Sequence, residues 1–224
     1  MQLGWQVFRG NYMTKSPLHF SIVDSIGHLV LSNPPKNEMD LVFFRTLTHI
    51  RKTIFPGLQI KGIIIYGKER HFSSGANIRE LISSYQSSYD RTLESFLKTN
   101  HETFLSLESL PYPTVAVING CCLGAGLELA LTCNYRLASP HAVFSLPEST
   151  FGIMPGCGGT IRLRNNCTIG KTIETILTGN VISCDEACQM GLVDAIVIKK
   201  DIVTKAIELI ENLNSLQTAH YFSC

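Results

Sequence analysis

Apolar and polar positions follow two rhythms along the chain. Short apolar runs at 19–23 and 28–32 flank Asp24-Ser25-Ile26-Gly27, a pattern that predicts a hairpin with its turn centred on Gly27. Met39, Val42, Phe43, Leu47, Ile50 and Ile54 then recur at three- or four-residue spacing, which predicts one face of a helix that stops near Pro56-Gly57. Residues 62–67 and 114–118 are continuous apolar, β-rich runs suited to strands buried on both sides. Helices are expected at 78–83, from 89 to about 107, and at 127–131, with short strands at 135–138, 143–145 and 193–198. Two more helices are expected at 172–177 and 184–190, the second opened by Ser183 with Glu186 in the capping-box place. Ile202, Ala206, Ile207, Ile210 and Leu213 mark a terminal amphipathic helix. Strands alternating with helices predict an α/β fold with largely parallel pairing. The expected division is a core over 1–200 and a short C-terminal helix and tail over 201–224.

Two glycine-bearing loops occupy equivalent places in this pattern. Ser74-Gly75-Ala76 follows the first buried strand, Gly124-Ala125-Gly126 follows the second, and each precedes a helix. At such a junction unpaired backbone N–H groups point outward and the helix field favours negative charge. Either loop alone is equally an ordinary tight turn. Two that converge would hold one developing oxyanion from both sides. Glu128 and Glu148 sit in apolar segments, and only tertiary folding can pair them. Read alone they are more often surface or cap residues than catalysts, but if desolvated or near one another at least one would rise toward neutrality.

Other chemistries lack their residues. Gly170-Lys171-Thr172 has Asn165 where a phosphate-binding loop requires Gly, and no G-x-G-x-x-G opens an early βαβ unit. There is no G-x-S-x-G elbow, Ser74 has no local base, and His71 and His141 are isolated loop or surface histidines. Cys184 and Cys188 could share a helix turn, yet two further ligands are missing and no metal is expected.

Composition narrows the setting. Hydrophobic residues make up 45% and charged residues 17%, and 19 Lys plus Arg against 18 Asp plus Glu leave a net charge of +1, which argues against nucleic acid as a partner. Residues 1–15 lack the apolar centre of a secretory signal, and no run approaches the ~20 apolar residues needed to cross a bilayer. The expectation is a cytoplasmic protein with eight reduced cysteines and no membrane partner.

The chain resembles the enoyl-CoA hydratase/isomerase, or crotonase, superfamily. The resemblance runs from about 19 to 213 and rests on His71-Phe72-Ser73-Ser74-Gly75-Ala76-Asn77-Ile78, on Cys122-Leu123-Gly124-Ala125-Gly126-Leu127-Glu128, and on Phe144-Ser145-Leu146-Pro147-Glu148 followed by Gly152-Ile153-Met154-Pro155-Gly156-Cys157-Gly158-Gly159-Thr160. It implies a crotonase-like ββα superhelix, usually built into trimers or paired trimers. It implies oxyanion-hole amides at Ala76 and Ala125, with loops shaped by Ser74, Gly75, Gly124, Gly126, Pro155, Gly156, Gly158 and Gly159. Glu128 would hold and deprotonate water and Glu148 would deliver the α-proton to a 2-enoyl thioester. The acyl carrier would be CoA or a phosphopantetheine on a carrier protein, with no separate cofactor, and Lys36, Lys68 and Arg70 are the candidate phosphate contacts. Having both glutamates favours hydration or dehydration; double-bond isomerisation and a catalytically weak acyl-thioester-binding homologue remain the alternatives. Two departures stand out: Asn77 where Asp is usual, and a short region after Lys200.

Overall fold

The computed structural model describes residues 16–86 and 91–221. The leader reading at 1–15, the expected helix start at Tyr89 and the last tail residues lie outside them. Strands β1 (Leu18–Val23) and β2 (Ile26–Leu31) form the expected hairpin. The turn differs from the expectation: Asp24 and Ser25 carry the positive φ values, 49° and 64°, that a tight two-residue hairpin turn needs. Gly27 lies inside β2 opposite Ile22, and a Cβ there would stand 3.0 Å from Ile63 and from the Phe20 ring. Close packing explains that glycine.

Helix α1 (Leu41–Thr53) is capped by Asp40, whose carboxylate accepts from the Phe43 amide at 2.7 Å. Met39 therefore falls outside the helix expected to include it and forms a bridge with Ala76 instead. Val42 faces solvent, while Phe43, Phe44, Leu47 and Ile50 form the buried face. Strand β3 (Gly62–Gly67), helices α2 (Ile78–Gln86) and α3 (Arg91–Glu108), and strand β4 (Thr114–Ile118) follow. Then come β5 (Cys121–Leu123), α4 (Ala125–Ala130), β6 (Tyr135–Ala138), β7 (Val143–Ser145) and a 3₁₀ turn (Pro147–Phe151). The chain ends with α5 (Gly159–Asn166), α6 (Ile169–Thr178), β8 (Ile182–Ser183), α7 (Cys184–Gln189), β9 (Ala195–Ile196) and α8 (Ile202–Tyr221).

The main sheet has the order β1-β2-β3-β4-β6-β9, parallel throughout except for the β1–β2 hairpin. A second, smaller sheet has the order β5-β7-β8. Alternation of side chains gives the main sheet two apolar faces. Ile63, Ile65, Ala116 and Ile118 join a large core with α1, α3 and α4, whereas Ile64, Val115, Val117 and Leu137 point the other way. The second face is covered by Ile202, Ala206 and Ile210 of α8, so the terminal helix packs directly on the sheet. Each of the two buried isoleucines stabilises the fold by roughly 1.5–3 kcal/mol, and the alanine by less. Among the described residues no helix is long and apolar enough to cross a membrane.

Candidate active site

The site is built where both sheets end. The loop after β3 runs beside β5: Ser73 N–H donates to the Cys121 carbonyl and Leu123 N–H donates to the Ser73 carbonyl, both at 3.0 Å. His71 reinforces the seam by accepting the Cys121 amide on Nδ1 at 3.0 Å, which requires a neutral ring, and burial with Arg70 and Lys199 nearby lowers its pKa. The two glycine loops are thus stitched together. A Cβ on Gly75, at φ +93°, would stand 2.8 Å from the Leu123 carbonyl oxygen and 3.4 Å from the Ala125 nitrogen. A Cβ on Gly126 would stand 2.8 Å from that of Ser73, so α4 sits directly on the first loop.

Most amides of the first loop are occupied. Ser74 N–H donates to Lys36 O at 2.9 Å, Gly75 N–H to Ser73 Oγ at 3.0 Å, and Asn77 N–H to Met39 O at 2.9 Å. Gly124 N–H donates to Ser145 O at 2.9 Å. Among the described residues no group accepts from the amides of Ala76 or Ala125. Both residues line one cavity of about 700 Å³, together with Ser74, Leu123, Glu148 and Phe151. Two donors without an acceptor on residues that line one cavity are what an oxyanion requires.

Glu148 enters from the 3₁₀ turn after β7. It is 8% exposed, its Oε2 is buried without a partner among the described residues, and a Cβ on Gly124 would come within 3.0 Å of its Oε1. Burial, aided by the Glu128 charge, raises its pKa from 4.5 to about 7. Glu128 lies on α4, 2% exposed, and does not line the cavity wall. Its Oε1 accepts the amides of Cys157 and Gly159, each at 2.8 Å. Burial raises the Glu128 pKa, while these two amides and the Arg162 charge pull it down. A Cβ on Gly159 would stand 2.8 Å from Glu128 Cγ, so the glycine admits the carboxylate.

Other expected site residues are placed less evenly. Gly158 has φ +94° and caps α5, Pro155 is buried, and Gly156 is exposed, where a Cβ would meet only Leu97. Lys36 lines the cavity, while exposed Lys68 and Arg70 do not; Arg79, which the sequence did not single out, does. Asn77 caps α2 by accepting the Glu80 amide at 3.0 Å, a task that Asn and Asp perform alike. Asn37, buried and unnoticed in the sequence, donates to the carbonyls of Lys68 at 2.9 Å and His71 at 2.7 Å and fixes where the first loop begins. No pattern in the sequence marks it.

The Glu148 proton has a consequence for stability. The folded chain keeps that proton up to about pH 7, whereas an unfolded chain releases it near 4.5. The folded state is therefore relatively favoured below pH 4.5 and loses this advantage as pH rises through 7. Denaturant melts across this window should show Glu148→Gln gaining on the parent by roughly 2–4 kcal/mol.

The sequence model of the enoyl-CoA hydratase/isomerase family matches residues 21–223. The chain belongs to this family. It is 33% identical over 207 residues to the fatty acid oxidation complex subunit alpha of Psychrobacter cryohalolentis, covering 92% of this chain and 28% of that protein. It thus spans less than a third of the first curated relatives it matches. It is 37% identical over 193 residues to a Bacillus subtilis protein provisionally named enoyl-CoA hydratase/isomerase YngF, covering 85% of this chain and 73% of that one. The enoyl-CoA hydratase structure from Bacillus anthracis superposes with a TM-score of 0.80 at 30% identity, covering 89% of this chain and 77% of the other. The crotonase-like α/β fold expected of the sequence is the fold these likenesses show.

Proposed function

We propose that the chain adds water to 2-enoyl thioesters, or removes it from 3-hydroxyacyl thioesters, carried on CoA or on the phosphopantetheine of a carrier protein. One observation carries the reading: Ala76 and Ala125, whose amides have no acceptor among the described residues, line one cavity with a glutamate that holds its proton near neutrality. The thioester carbonyl sits between Ala76 N–H and Ala125 N–H, which stabilise the enolate oxygen as charge develops. Glu128, oriented by the Cys157 and Gly159 amides, holds water and takes its proton as oxygen adds to the β-carbon. Glu148, protonated, delivers the α-proton; dehydration runs the same steps backward. Lys36 and Arg79 at the cavity, with Lys68 and Arg70 on the nearby surface, supply cations for the carrier's phosphates.

Isomerisation is the second reading, because Glu148 lines the cavity wall and Glu128 does not. Exposed Phe151, Ile161, Ile169, Ile173, Leu177 and Val181 support assembly into a homotrimer or hexamer. Incubation with crotonyl-CoA, and separately with crotonyl-pantetheine on a carrier protein, tests the proposal. Water-dependent formation of the 3-hydroxybutyryl thioester is expected with at least one carrier. Migration of the double bond without hydration supports the isomerase, and binding without turnover contradicts both.

A further inference from the structure

Among the described residues two arginines are buried. Arg136 spends its donors on the Leu192 and Cys133 carbonyls, on Asn166 of α5 and on Asp194, tying β6 to α5 and to the chain before β9, and it does not line the cavity. Arg162 leads to the site. Its side chain is 5% exposed and curls back over the start of its own helix, where Nη1 donates to the Cys157 carbonyl and Nε to Glu108 of α3 at 3.1 Å. The amide of Cys157 itself and that of Gly159, two residues on, are the pair that hold Glu128 Oε1. A side chain on Gly158 would collide with the guanidinium, so glycine there makes room for the arginine.

We propose that Arg162 is a positioning residue for Glu128: its guanidinium pins the 157–159 turn so that both amides stay on Oε1, and it sets a positive charge beside that carboxylate. It touches no substrate and acts through the turn. The ionisable groups that face Glu128 are Glu148 from the 3₁₀ turn, the Cys157 thiol from the loop and Arg162 from α5. Glu108 stands behind Arg162, and His101 of α3 comes close to Gly158. Arg162 offsets the repulsion between the two glutamates. A single fork therefore sets both the place and the ionisation of the carboxylate that would activate water.

The kinetic part of this inference rests on the proposed hydration, so its test includes a readout independent of turnover. With ¹³Cδ-labelled glutamate, the Glu128 carboxylate signal is assigned by its loss in Glu128→Gln and titrated in the parent, Arg162→Met and Arg162→Lys. Arg162→Met should raise the Glu128 midpoint by about one pH unit or more, since it removes the nearby positive charge. The acid limb of kcat/KM for hydration should move up with it, and kcat should fall about tenfold at unchanged KM. Arg162→Lys keeps the charge without the planar fork; its midpoint should stay near the parent's while kcat falls about threefold. An unmoved midpoint in folded Arg162→Met overturns the proposal. If Arg162→Met does not fold, parental kcat in Arg162→Lys overturns it instead. A parent that hydrates nothing, yet whose Glu128 midpoint rises in Arg162→Met, refutes the assigned reaction and sustains the positioning role.

Discussion

Replacing Glu148 with Gln is expected to lower kcat for crotonyl-CoA hydration by about 10²–10⁴-fold, with KM changed by no more than about threefold. The size follows from what the residue can do in its place. Its carboxyl is buried, Oε2 has no partner among the described residues, and its pKa stands at about 7, so at neutral pH a large share is protonated on a residue that lines the cavity. Glutamine preserves shape and hydrogen-bonding reach but has no proton to release. Glu128→Gln should cost a similar factor, because the amide oxygen still accepts from Cys157 and Gly159 while losing basicity. Residues that act as one unit are non-additive, so the double variant should be little slower than the slower single. Unchanged turnover in either single variant would remove that glutamate from the mechanism. Circular dichroism checks that each variant keeps the fold.

Gly75→Ala is the second large effect, expected to cost about 10²–10³-fold in kcat, the scale of losing one oxyanion donor. Position 75 has φ +93°, and the new Cβ would lie 2.8 Å from the Leu123 carbonyl oxygen. That neighbour is backbone, so the loops themselves must part. Their separation would move the Ala76 amide away from the Ala125 amide with which the proposed oxyanion hole pairs it. Gly57→Ala is the control: its φ is +82°, with nothing within 4 Å of a new Cβ and no place near the cavity. It should lose about 1–2 kcal/mol of stability through the backbone strain alone and retain parental kcat. Equal kinetic losses in the two variants would show that strain, rather than loop convergence, sets the rate.

The chain revealed its buried strands more readily than its site. β3 and β4 were legible because a strand covered on both faces is a continuous apolar run, and α7 because Ser183 accepts the Glu186 amide at 3.3 Å as its spacing suggests. Helix α5 was missed for a specific reason. Its buried residues are Gly159, Arg162 and Leu163, so the inward face carries an arginine and reads as polar. The same feature hid Arg162. Met39 kept helical spacing with the residues of α1, yet pairs with Ala76, because spacing cannot tell a first helical residue from the bridge before its cap. Strand β8 is two residues long and has no period to detect.

Within the site, the two loops were visible through their glycines and their places after strands. Their convergence was not, since it depends on Ser73 pairing with β5 and on Asn37 holding the start of the first loop. The approach of Glu148 to Glu128 is likewise tertiary: one stands on α4, the other on the turn after β7. Nothing in the sequence marks Arg79 at the start of α2, and only the folded chain brings it to the cavity.

The most direct measurement of the central claim is the fate of isotopes when the parent chain acts on crotonyl-CoA in deuterated, ¹⁸O-enriched water. Mass spectrometry and NMR of the product should find one ¹⁸O at C3 and one deuteron at C2 of 3-hydroxybutyryl-CoA. Deuterium entering the acyl chain with no ¹⁸O at C3 would contradict hydration by the Glu128 and Glu148 pair.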